Sequence, residues 1–179
     1  MNIDALLESL PEHAKDSKLN FSSVVRNQTE LTPTQLWGTV AACALASRSD
    51  ALIAALLIEA AAQTSAQTVQ AAKTANAIMA MNNIYYRFLH LTSNEKYRTL
   101  RAGLRMNVLR SHGADAVDFE MWCLAVSSIN GCGACVDSHE KVLREKGASE
   151  EKILAAVRVA AVIHALSVVV ENEKLGSAA

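Results

Sequence analysis

The chain has 179 residues and a formal net charge of −1, a length that suits one compact domain or two small halves sharing a core. Apolar residues make up 51% but aromatics only 4%, with 7 Gly and 2 Pro, too few turn formers for a β-rich fold, so the composition predicts an all-α protein. Only Arg101, Arg105 and Arg110 approach a basic stripe, and no aromatic platform accompanies them, which argues against a nucleic-acid surface.

Taken in order, Ile3, Leu6, Leu7 and Leu10 share one face of an expected amphipathic helix over Ile3–Lys15, and Ser22–Gln28 reads as a second short helix. Thr32-Pro33 is a start signal, a capping hydroxyl followed by Pro at the first helical position, for a helix over Gln35 to about Ser47. Ser49 and Asp50 open another, to about Gln63; a long helix follows from about Ala66 to His90, and a shorter helical stretch over Glu95–Leu109. Ser111-His112-Gly113 breaks the pattern, after which a helix runs from Val117 or Asp118 to about Ile129. Asn130-Gly131 is a stop and turn; the next helix starts at Cys132 and ends near Lys146-Gly147. Ser149-Glu150-Glu151 caps a last helix to about Glu173, and the tail 176–179 is expected to fray.

A weak internal repeat is expected. With Trp37 set on Trp122, Gln35 falls on Glu120, Leu36 on Met121, Ser47 on Cys132, Asp50 on Cys135 and Ala54 on His139. The expectation is a single domain with a degenerate half of about 1–90 and a catalytic half of about 91–175.

No basic and apolar leader follows Met1, so no secretory signal is visible. Val159–Val170 contains His164, follows Arg158 and reads as too short and too polar to span a bilayer. The expected location is the cytoplasm, without a membrane partner. A stable structural disulfide is improbable there, and a Cys pair points to redox chemistry, catalysis or metal binding.

The informative segment is 120–139. Cys132 and Cys135 are i and i+3 at a helix start, roughly 5–6 Å apart at Cβ, and a small adjustment brings them within disulfide reach. His139 lies one turn beyond Cys135 on the same stripe. Unpaired N–H groups of a first turn stabilise a thiolate there, lowering its pKa from about 8.5. Gly133 and Ala134 keep the approach to the sulfurs open. His139 can take or relay a proton. Glu120 begins the preceding helix, roughly 15–18 Å from the turn, so spacing alone does not set it beside the thiols; a crossing or a neighbouring subunit would be needed. A C-x-x-C pair does not choose between redox and metal use. Zinc held by Cys132, Cys135 and His139 lacks a second ligand pair, and two chance buried thiols stay possible. A thioredoxin fold is disfavoured because no βαβ pattern surrounds the motif.

Blander readings apply elsewhere. Cys43 and Cys123 read as core, Trp37 and Trp122 as core anchors, and His164 as a core or interface histidine. His13, His90 and His112 read as surface or loop residues, and Tyr85-Tyr86-Arg87 as packing rather than site.

Phe119-Glu120-x-Trp122, then Asn130-Gly131-Cys132-x-x-Cys135-x-x-x-His139-Glu140, resembles the AhpD alkyl hydroperoxidases. Segments 79–87, 100–108 and Leu6–Pro11 extend that resemblance over nearly the whole chain. The resemblance implies an all-α AhpD-like bundle, usually a homotrimer, acting as an antioxidant peroxidase on organic hydroperoxides and regenerating the peroxiredoxin AhpC. It implies no bound cofactor and no metal. Electrons would come from a dihydrolipoyl group on a lipoylated acyltransferase subunit of a 2-oxoacid dehydrogenase, recharged by dihydrolipoamide dehydrogenase and NADH. Carried over by position, Cys135 matches the thiol that forms the sulfenic acid and the mixed disulfide with AhpC. Cys132 matches the proton donor and disulfide partner, and His139 and Glu120 match the proton relay. Some members carry a His directly before the second Cys; here that residue is Ala134. Three functions stay open: a lipoyl-dependent peroxidase, chiefly a disulfide electron-transfer adaptor between a lipoylated protein and AhpC, or an inert helical bundle. A related decarboxylase-type branch shares the presumed fold without this Cys pair.

Overall fold

The computed structural model describes residues 2–176, with the side chains of 175 and 176 left aside. Of the tail expected to fray, Gly176 is still helical, and 177–179 lie outside the described residues. Nine α-helices and no strand occur among the described residues, so the all-α class stands.

Helix α1 (Ile3–Glu8) buries Ile3, Leu6 and Leu7 but ends well before Lys15. Pro11 has no N–H to continue the ladder and restricts Leu10, so the chain passes through a 3₁₀ turn at Glu12–Ala14 before resuming. Helix α2 (Lys15–Phe21) runs straight into a π-turn at Ser22–Arg26. The second helix expected at Ser22 therefore begins about two turns earlier, at Lys15, and buried Ala14, Phe21 and Val25 mark its inner stripe.

Helix α3 (Pro33–Ser47) opens with a full capping box, Gln35 N–H donating to Thr32 Oγ1 at 3.2 Å and Gln35 Oε1 accepting from Thr32 N–H at 3.2 Å. Helices α4 (Asp50–Gln63) and α5 (Ala66–Leu91) follow the expected bounds. The stretch expected to be helical over Glu95–Leu109 is not. It reduces to α6 (Lys96–Thr99) and a 3₁₀ turn at Asn107–Arg110, with Gly103 at φ +67° between them. Nearly all of 93–111 is exposed, and without packing against the bundle a short helix is not sustained.

Helices α7 (Ala116–Ile129), α8 (Gly133–Glu145) and α9 (Glu150–Gly176) complete the bundle. Helices α3 and α7 form its centre, packed on each other and flanked by α5 and α9. Their crossing is set by Gly38, where a Cβ would come within 2.2 Å of the Trp122 ring. Trp122 Nε1 donates to the Gln35 carbonyl at 3.3 Å, and Gln35 Nε2 donates to Asp118 at 2.9 Å. Trp37, Trp122 and Cys43 are buried, as read from the sequence.

Reading the apolar C-terminal stretch as too short and too polar for a membrane understates it. It belongs to a helix spanning 150–174 whose most apolar 18-residue window has a mean hydropathy of 2.3, long and apolar enough to cross a bilayer. Of that window 56% is buried inside the bundle, and core burial accounts for its apolarity.

Candidate active site

The site is built on one helical hairpin. Helix α7 closes at Asn130-Gly131, with Gly131 at φ +67°, a left-handed position that favours glycine. Cys132 N–H then donates to the Ser127 carbonyl at 3.1 Å, bringing the chain back across the helix end. Arg87 of α5 fastens the same turn, Nη1 donating to the Asn130 carbonyl at 2.6 Å.

Cys132 is the N-cap of α8, and Cys135 lies in its first turn, donating its N–H to the Cys132 carbonyl at 3.0 Å. The two form a disulfide with Cα atoms 5.3 Å apart. Their surroundings differ. Cys132 is fully enclosed (0% exposed), whereas Cys135 (5% exposed) lines a cavity of about 600 Å³. Glu120, His139 and Ala134 line that cavity too.

The antiparallel hairpin also answers where Glu120 lies. It stands opposite His139, with Oε2 2.7 Å from Nδ1. Glu120 thus meets the histidine directly within one chain. The other ring nitrogen, Nε2, faces the Met79 sulfur at 3.3 Å. Among the described residues no group of three or more His, Cys, Asp or Glu side chains is placed to hold a metal ion.

The two remaining cysteines are free and buried. Burial pushes the Cys43 thiol far up, and burial together with the Glu120 charge does the same to Cys123. Cys123 is core, as expected, yet it also forms part of the cavity wall.

Sequence reasoning missed three parts of this cavity. His112, read as a surface or loop residue, is half-buried on the cavity wall, its ring stacked on Phe119 with centroids 3.9 Å apart. Its Nδ1 accepts the Ala114 N–H at 3.2 Å. Tyr86, read as packing, lines the cavity beside Met106. Asn82 also lines it, and its Oδ1 is buried without a hydrogen-bond partner. Asn82 and Tyr86 lie within segment 79–87, which carries the resemblance but no spacing that links it to the cysteines; α5 and the irregular 100–115 segment bring all three in from afar. His164, read as a core or interface histidine, is exposed on α9 at the edge of a groove with Ile129 and Val157, so the core alternative is removed.

A family model described as the carboxymuconolactone decarboxylase family matches residues 95–171, which include Glu120, Cys132, Cys135 and His139. The alkyl hydroperoxide reductase AhpD of Acidobacterium capsulatum is 62% identical over 175 residues, covering 98% of this chain and 96% of that protein. The proteins of the same name from Koribacter versatilis and Solibacter usitatus are 61% and 56% identical, covering 97% of this chain in each case and 90% and 97% of their own lengths. With such identity sustained from end to end, the chain belongs to the alkyl hydroperoxide reductase AhpD family.

Proposed function

We propose that the protein is an antioxidant peroxidase that reduces organic hydroperoxides through a Cys132/Cys135 dithiol–disulfide cycle. The observation that carries this reading is the inequality of the two sulfurs: only Cys135 lines the cavity, and Glu120 and His139 line it too. Cys135, at the start of α8 where unpaired amides favour an anion, is the attacking thiolate. Its sulfur bonds to the distal peroxide oxygen, the O–O bond breaks, and the alkoxide leaves as the alcohol after taking a proton. The Cys135 sulfenic acid then condenses with the Cys132 thiol, forming the disulfide and releasing water. Glu120 orients His139, which moves protons to and from Cys135. A dihydrolipoyl dithiol restores both thiols by exchange and is itself oxidised.

The partners are those that the family membership suggests: AhpC as a second oxidant, and a lipoylated acyltransferase recharged by dihydrolipoamide dehydrogenase as the electron source. A homotrimer in the cytoplasm completes the reading. Burial between subunits is supported by apolar side chains left in solvent, among them Leu91, Leu100 and Ile84.

The test is a reconstituted assay with NADH, dihydrolipoamide dehydrogenase, a lipoylated carrier, this protein and an alkyl hydroperoxide, with and without AhpC. NADH oxidation that requires both peroxide and Cys135 supports the peroxidase. Unchanged turnover in Cys135→Ser overturns the assignment. Turnover seen only when AhpC is added makes the protein an adaptor instead.

A further inference from the structure

His139 is held at both ring nitrogens, and neither holder is a cysteine. The Nε2 partner, Met79, is a buried residue of α5 that lines the cavity. A thioether sulfur has no hydrogen to give; it can only accept. The same sulfur faces a second donor, Ser127 Oγ, at 3.5 Å. The direction of that bond is fixed by the groups behind it. Asn130 Nδ2 donates to Asn83 Oδ1 at 2.9 Å, and Asn83 Nδ2 donates to Ser127 Oγ at 2.8 Å. The Ser127 hydroxyl has accepted, so its own hydrogen turns to Met79. The Asn83 amide adds a longer approach to the sulfur at 3.9 Å. A lone pair on Nε2 would face the sulfur lone pairs and be repelled; a proton on Nε2 satisfies both atoms. The second proton of the pair then lies between Nδ1 and Glu120 Oε2, across 2.7 Å.

We propose that Met79 is a positioning residue, holding His139 with its Nε2 proton in place while the cysteines are oxidised. This rests on the reading of Cys132 and Cys135 as a working redox pair. The proton is the one needed for the reductive half of the cycle. A thiolate of an external dithiol attacks the Cys135 sulfur, the S–S bond breaks, and the electron pair leaves on Cys132, which takes the proton released when that first dithiol thiol ionised. The second thiol of the dithiol then attacks its own sulfur in the mixed disulfide, giving up its proton to solvent. Cys135 leaves as a thiolate and takes the proton from His139 Nε2; the histidine is reprotonated from solvent. Two electrons have passed from the dithiol to the protein disulfide. A thioether suits the holder's role because it accepts weakly. It fixes the ring without competing for the proton, as a carboxylate there would.

The experiment is ¹⁵N NMR of the histidine rings in the full-length disulfide form, with His139 assigned by substitution. The expected result is a protonated Nε2 on His139 in the unaltered protein. In Met79→Leu, of similar volume but without an acceptor, that proton exchanges faster with water. Single-turnover reduction by dihydrolipoamide slows about 10-fold, short of the ~10²-fold or more that loss of an acid itself costs. An unprotonated Nε2 in the unaltered oxidised protein overturns the proposal, and so does a Leu variant whose ring signals and reduction rate are unchanged. The spectrum of the unaltered protein is decisive even if the Leu variant does not fold. No peroxide enters the measurement, so the role of Met79 is tested even in a protein inactive as a peroxidase.

Discussion

Glu120 Oε2 lies 2.7 Å from His139 Nδ1, joining α7 to α8 across the hairpin while both side chains remain partly open to solvent. Both side chains are nonetheless mostly buried, and the cost of desolvating them offsets much of their attraction, which limits what the pair contributes to stability. On the proposed mechanism its value is in orientation. Glu120→Gln keeps the shape and a hydrogen bond but removes the charge that fixes the ring. Turnover in the coupled assay is expected to fall roughly 10²-fold, at the low end of general acid–base contributions. The urea midpoint is expected to stay nearly unchanged. A loss of stability matching the loss of rate would mark the pair as structural instead.

Cys43 and Cys123 are buried thiols pushed far up by burial, so neither is ionised at neutral pH. Iodoacetamide applied to the native disulfide form is expected to label neither. After mild reduction Cys135 reacts first, because it faces the cavity while Cys132 is enclosed. Cys43 and Cys123 react only on unfolding. Peptide mass spectrometry reads the order directly, and early labelling of Cys123 would contradict it.

Gly38→Ala places a methyl group 2.2–2.5 Å from the Trp122 indole at the centre of the α3–α7 crossing. The tryptophan is fully buried and cannot swing clear. A loss of about 1–3 kcal/mol or more is expected, the range for overpacking a filled core. Gly133→Ala is the control, since nothing stands within 4 Å of its added Cβ. Urea denaturation compares the two, and equal midpoints would refute the crossing argument.

Asp118, half-buried, accepts a hydrogen bond from Gln35 Nε2 at 2.9 Å. Burial raises its carboxyl above the ordinary value, outweighing the lowering by Gln35; Asp115 adds to the rise and Lys152 opposes it. The folded state therefore holds this proton more tightly than the unfolded chain does. Its contribution to stability is fully present below about pH 3.9 and is lost as pH rises through the folded value. Asp118→Asn removes that dependence. The stability of the variant relative to the parent is expected to increase between about pH 3.5 and 7, by a modest amount because the group is half in solvent. A variant that instead loses stability relative to the parent over the same range would reverse the assignment.

The parts of the fold legible in sequence were those with local causes. Thr32-Pro33 announced α3 and Asn130-Gly131 marked the turn ahead of the thiols, each with chemistry that acts within a few residues; Ser49 does precede α4, but its hydroxyl donates to Glu171 rather than capping the helix. The stretch 95–109 misled because its composition permits helix while its exposure withholds the packing that would sustain one. The site divides in the same way. Cys132, Cys135 and His139 share one helix and one stripe, so spacing places them. Glu120 needed the hairpin crossing. Met79, Asn82, Tyr86 and His112 come from α5 and the irregular segment before α7, and only tertiary packing sets them on the cavity wall.

The disulfide joins residues only three apart in sequence. In the chain-entropy picture a loop this short restrains the unfolded ensemble by about 2 kcal/mol, against about 4.7 for a 100-residue loop. Opening it therefore removes less than half of what a crosslink closing a long loop would contribute. On the proposed dithiol–disulfide cycle, this placement keeps the difference in stability between the two states modest. Calorimetry of the oxidised and reduced forms should find melting temperatures within about 4–8 °C of each other, and the helices around the hairpin need not loosen as the electrons pass.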